Sequence, residues 1–100
     1  MGTKQTDLTI EQVTGVVRPI LERAGATRAG LFGSLVEGRL RRLSDIDILV
    51  ELGPGLSLLD VIGIEQDLED ALGRRVDLVE YAAIKPLLRE RILAQEVRIL

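Results

Sequence analysis

Leu31-Phe32-Gly33-Ser34, then ten residues, then Asp45-Ile46-Asp47-Ile48-Leu49-Val50-Glu51: the architecture hangs on these segments. The first is an apolar run that ends in a glycine, which frees the backbone to turn, and a serine, which can open a helix. Backbone N–H groups at such an opening attract phosphate. The second opens with a pair of carboxylates, spaced two residues apart at the head of an apolar run. On an extended strand such residues project from one face, so Asp45 and Asp47 converge on one point. The run behind them is continuous rather than alternating, the pattern of a strand buried on both faces. A carboxylate pair repels itself and wants a compensating charge, and Mg²⁺ with nucleotide phosphates supplies one.

On the N-terminal side, Met1 to Leu8 is polar and is expected to fray, after which Thr9 with Gln12 forms a capping box for a helix running to about Ala24. Val13, Val16, Val17, Ile20 and Leu21 make its apolar stripe, Gly25 is its stop, and Pro19 predicts a kink or break. Arg28 to Phe32 reads as a short first strand and Ser34 to about Gly38 as a short helical turn. On the C-terminal side, Gly53-Pro54-Gly55 punctuates the chain, and Ser57 with Asp60 opens a second long helix ending near Leu72 and Gly73. Its stripe is Val61, Ile64, Leu68 and Leu72. Arg75 to Glu80 is a third strand, Pro86 opens a last helix to about Ala94, and Val97 to Leu100 suits a short edge strand. The expected fold is α+β, a two-layer arrangement of a small mixed β-sheet with helices packed mainly on one face.

One hundred residues with 46% apolar content support one compact core, so the expectation is a single domain over 1–100. Phe32 and Tyr81 are the only aromatic residues, too few for a base-stacking platform. Cysteine and histidine are absent, which removes disulfides, the usual zinc sites and every thiol or imidazole mechanism. Chemistry must run on carboxylates, hydroxyls, cations and metal. A net charge of −3 argues against general nucleic-acid binding, although Arg39, Arg41 and Arg42 cluster beside the Gly-Ser turn. No apolar run is long enough to span a membrane and no signal-peptide core is present, so the expected location is cytoplasmic.

Asp77, in Arg-Val-Asp-Leu-Val, faces away from Val76 and Leu78, and joins Asp45 and Asp47 if the second and third strands are neighbours. Two carboxylates holding Mg²⁺ against triphosphate oxygens, with a third drawing off the acceptor proton, make a minimal kit for in-line phosphoryl transfer. Each signal also has a plain structural reading. A Gly-Ser turn starts many helices, an Asp-x-Asp pair decorates solvated strand ends, and Asp77 has Arg74 and Arg75 at hand as surface partners. One shared site accounts for all three together.

These segments resemble the minimal nucleotidyltransferases, small members of the DNA-polymerase-β-like superfamily. The resemblance runs from about Ile10 onward and is carried by Leu-Phe-Gly-Ser (31–34), Gly38, Ser-Asp-Ile-Asp-Ile-Leu-Val-Glu (44–51), Pro-Gly-Leu-Ser-Leu-Leu-Asp (54–60) and Arg-Arg-Val-Asp-Leu-Val (74–79). It implies that Gly33 and Ser34 hold nucleotide phosphates, that Asp45 and Asp47 ligate one or two Mg²⁺ ions, and that Asp77 completes the acidic triad. It further implies an antitoxin paired with a HEPN-domain RNase toxin, transferring AMP from ATP to a tyrosine hydroxyl of that toxin. One departure is Glu37, where many relatives place arginine before the glycine. A carboxylate there repels a triphosphate if it faces the site, and Arg39, Arg41 or Arg42 would have to supply the missing cation.

Three functions fit: a Mg²⁺-dependent transferase acting on a partner protein, a non-catalytic module that neutralises its partner by covering it, and transfer to a small molecule such as an aminoglycoside. The short chain leaves no acceptor-binding domain for the third. The helix containing Leu58, Leu59, Ile62 and Leu72 carries apolar residues outside its main stripe, which fits either a homo-oligomer or a helix buried on two sides.

Overall fold

The computed structural model describes residues 8–100, so the expected fraying of Met1 to Leu8 falls outside them except at Leu8, which packs against the core. Helix α1 (Ile10–Arg23) begins at Thr9, whose hydroxyl accepts from the Gln12 N–H while the Gln12 side chain accepts from the Thr9 N–H, the reciprocal cap read from the sequence. Pro19 does not break it. The hydrogen bond that proline removes would have ended on the carbonyl of Gly15, and both residues lie on the solvent side, where water can satisfy that oxygen.

Four strands follow: β1 (Ala26–Phe32), β2 (Ile46–Leu52), β3 (Val76–Glu80) and β4 (Val97–Arg98). Their order is β3-β2-β1-β4; β2 and β3 run parallel and β1 runs antiparallel to both β2 and β4, so the sheet is mixed as expected. Strand β1 starts two residues earlier than its apolar run, because Ala26 pairs with Leu52 across a register irregularity before Arg28. The parallel β2–β3 pair needs a crossover, and helix α2 (Leu58–Leu72) provides it. Ser57 and Asp60 cap each other at its start, and Gly73 closes its end.

Helices α1 and α2 cover one face of the sheet. Val13, Val17 and Leu21 of α1 and Ile64 and Leu68 of α2 pack on Leu31, Ile46, Ile48 and Val50. Each fully buried side chain of this kind contributes about 1.5–3 kcal/mol. A 3-10 turn (Tyr81–Ala83) and helix α3 (Pro86–Gln95) lie against the opposite face, where Phe32, Leu49, Tyr81 and Ile84 form a second, smaller cluster with Val79, Ile92 and Leu93. The covering is therefore mainly, not wholly, one-sided. Strict apolar–polar alternation is absent from β2 because Ile48 and Leu49 point into different clusters, which is why its apolar run is continuous. Leu72 of the α2 stripe packs on the core, while Leu58, Leu59 and Ile62, outside it, are exposed.

Candidate active site

The second face of the sheet carries the chemistry. In the parallel register Asp47 lies directly beside Asp77, so their side chains share that face, and Asp45 stands just ahead of β2. The neighbouring strands on which the triad depends are thus present. Burial pushes the Asp47 carboxyl up to about 6, with the charges of Asp77 and then Asp45 adding to the shift and the Ser34 backbone N–H opposing it. Asp45 and Asp77 thus lie near enough to Asp47 for their charges to act on it. Among the described residues, no trio of carboxylates converges closely enough to form a metal cluster unaided.

Asp47 also explains Gly33. The glycine has φ +78°, and a Cβ there would collide with the Asp47 carboxylate, so the turn needs glycine for both its backbone and the approach of the acid. The chain then makes a single helical turn. The Glu37 N–H bonds to the Gly33 carbonyl at 3.0 Å, and the turn is closed by Arg39 N–H to the Ser34 carbonyl at 2.8 Å and Gly38 N–H to the Leu35 carbonyl at 3.4 Å. With Gly38 at φ +75°, this is a Schellman closure, which stops the expected short helix after one turn.

Glu37 does not confront the site bare. Arg39 donates to its carboxylate through both Nε and Nη2, which holds its pKa below the usual range, and Gln95 Nε2 donates to its second oxygen at 3.1 Å. Arg39 is consequently engaged, whereas Arg41 and Arg42 are exposed on the following loop. That loop is fixed from below. Arg74 Nη2 donates to the carbonyls of Arg41, Arg42 and Ser44, the last two at 3.0 Å, which sets the approach to Asp45. Arg75 Nε lies 4.0 Å from Asp45, and so is the closer of the two arginines to the triad as an ion-pair partner. Arg74 has its hydrogen bonds elsewhere, and Asp77 is exposed on its strand.

The end of α3 supplies residues that the sequence did not suggest. Gln95 Oε1 accepts the Gly33 N–H at 2.6 Å. Its neighbour Glu96 is nearly buried, accepting from the Tyr81 hydroxyl and standing 3.9 Å from Arg28, whose guanidinium lies 4.1 Å over the Tyr81 ring. Burial and the Glu96 carboxylate push the Tyr81 hydroxyl well above its ordinary pKa. Gly30 leaves the space that Glu96 fills, since a Cβ there would strike it. A glycine inside an apolar strand was the one available signal of such a close approach.

The face offers oxygen donors of the kind Mg²⁺ prefers, beside a turn whose amides suit phosphate. The profile of the family described as "Nucleotidyltransferase domain" matches residues 15–100. A Methanocaldococcus jannaschii protein provisionally named a protein adenylyltransferase is 43% identical over 93 residues, spanning 93% of this chain and 100% of that protein. The protein adenylyltransferase MntA of Thermococcus cleftensis is 37% identical over 94 residues, 90% of this chain and 95% of its own. Among solved structures, a chain of a toxin–antitoxin crystal structure with AMP-PNP superposes with a TM-score of 0.76 at 27% identity, covering 87% of this chain and 72% of that one.

Proposed function

The chain belongs to the nucleotidyltransferase domain family, and from that premise we propose that it transfers AMP from ATP to a tyrosine hydroxyl of a HEPN-domain toxin, acting as the antitoxin of the pair. The observation that carries the reading is the register that sets Asp47 beside Asp77, with Asp45 adjacent and the Asp47 carboxylate lying on Gly33. The names of the two adenylyltransferase relatives support a protein acceptor, and the toxin–antitoxin complex with AMP-PNP supports both a toxin partner and a triphosphate substrate.

In this reading Asp45 and Asp47 would hold Mg²⁺, whose preferred donors are carboxylate oxygens, and the Asp47 carboxyl already feels the neighbouring charges of Asp77 and Asp45. Bound there, Mg²⁺ would supply charge neutralisation for the triphosphate and the leaving pyrophosphate. The amides of Gly33 and Ser34, which donate to Gln95 and to the Asp47 carboxylate in the nucleotide-free protein, would orient the phosphates, and Arg41 and Arg42 offer exposed positive charge beside the turn. Asp77 accepts the proton of the incoming hydroxyl, whose oxygen bonds to the α-phosphorus as the bond to pyrophosphate breaks. No new covalent bond to the protein is needed, so positioning and electrostatics carry the rate.

Glu37 favoured a purely steric antitoxin, but Arg39 and Gln95 meet its charge and blunt that repulsion. Among the described residues no helix is long and apolar enough to cross a membrane. The exposed Leu58, Leu59 and Ile62 leave self-association or partner contact as the use of that surface. Titration calorimetry with a non-hydrolysable ATP analogue tests the reading. Binding should require Mg²⁺ and disappear in the Asp45→Asn/Asp47→Asn double variant, whereas metal-independent binding that survives both substitutions would overturn it.

A further inference from the structure

We propose that Gln95 is an internal competitor for the nucleotide: its carboxamide oxygen occupies the Gly33 N–H that a phosphate oxygen must take, so binding proceeds only as Gln95 is displaced. The inference rests on the nucleotidyltransferase reading of the Gly33 turn. The contact is short and well defined, 2.6 Å from Gly33 N to Gln95 Oε1, and it crosses from the last turn of α3 to the end of β1. The same carboxamide is oriented from its other side, because Nε2 donates to Glu37, which Arg39 holds. Oxygen therefore faces the turn and nitrogen faces the acid.

Its position is not accidental to a mobile side chain. The next residue, Glu96, is pinned by the Tyr81 hydroxyl and lies in the space opened by Gly30, with Arg28 alongside. The backbone of the α3 terminus is thus anchored, and Gln95 is delivered to Gly33 by that anchor. Displacing the carboxamide costs one hydrogen bond at Gly33 and one at Glu37, while the anchor stays in place. Gln95 thereby sets the affinity for triphosphate without a hydrogen bond to Asp45, Asp47 or Asp77.

The test compares the full-length wild type with Gln95→Ala and Gln95→Glu, using titration with Mg²⁺ and AMP-PNP together with amide hydrogen exchange at Gly33 in the nucleotide-free protein. Gln95→Ala should expose the Gly33 amide to faster exchange and bind the analogue about two- to tenfold more tightly, the range of one ordinary hydrogen bond. Gln95→Glu keeps an acceptor on Gly33 but adds negative charge beside Glu37 and the phosphates, so it should bind more weakly than wild type. If wild type binds and Gln95→Ala binds equally or less well, Gln95 is not a competitor and the proposal falls. If neither wild type nor the variants bind the analogue with Mg²⁺, the nucleotidyltransferase reading falls and takes the proposal with it, whatever the exchange data show.

Discussion

Replacing Asp47 with asparagine should stabilise the nucleotide-free protein while removing its metal-dependent binding. Burial and the facing charges of Asp77 and Asp45 raise the Asp47 carboxyl from 3.8 to about 6. Two pKa units correspond to an upper bound of about 3 kcal/mol, and the half-buried position reduces that to about 1–1.5 kcal/mol after solvent screening. The direction follows from proton binding. Between the unfolded value and about 6 the folded state holds more protons, so stability falls as pH rises through that window, and the full cost is present above it. Asparagine carries no charge to bury, and its side-chain oxygen can still accept from the Ser34 N–H. Thermal melts without divalent cations should therefore show the variant about 5–10 °C more stable at about pH 8, with the gain shrinking towards zero near about pH 4. A variant no more stable than wild type at the higher pH, or an advantage that persists at the lower, would refute the electrostatic account of this face.

Gly33→Ala should lose at least about 1–2 kcal/mol from the left-handed backbone alone and should also push the Asp47 carboxylate off the turn, so urea denaturation and Mg²⁺-dependent ATP binding both report it. Arg74→Ala removes the donor shared by three loop carbonyls and should cost about 2–3 kcal/mol in a denaturant titration, with weaker nucleotide binding as the approach to Asp45 loosens. Tyr81→Phe leaves the nearly buried Glu96 without its hydroxyl donor and should cost about 1–2 kcal/mol by the same assay, with faster amide exchange at the end of α3.

Much of this was legible because local rules and tertiary context agree along the chain. Thr9 with Gln12 and Ser57 with Asp60 are capping boxes in sequence and in space, and Pro86 starts α3 where its missing N–H does no harm. That Asp47 and Asp77 share a face followed from strand periodicity once β2 and β3 were neighbours. Pro19 leaves α1 unbroken, because a proline on an exposed helical face leaves only one carbonyl for water to satisfy. The turn after Gly33 came out as a single turn because Gly38 closes it at once. What could not be read were the long-range contacts: Gln95 on Gly33, Glu96 between Tyr81 and Arg28, and Arg74 beneath the 41–44 loop. None has a periodic or spacing signature, since each joins residues brought together only when α3 and the loop dock on the sheet.

The most direct test of the central claim is the intact mass of the proposed HEPN-domain partner, purified after co-expression with wild type or with the Asp45→Asn/Asp47→Asn variant. The account predicts one or more whole adenylyl units on that protein with wild type and none with the variant. A partner that co-purifies with both forms yet carries no added mass in either would contradict it.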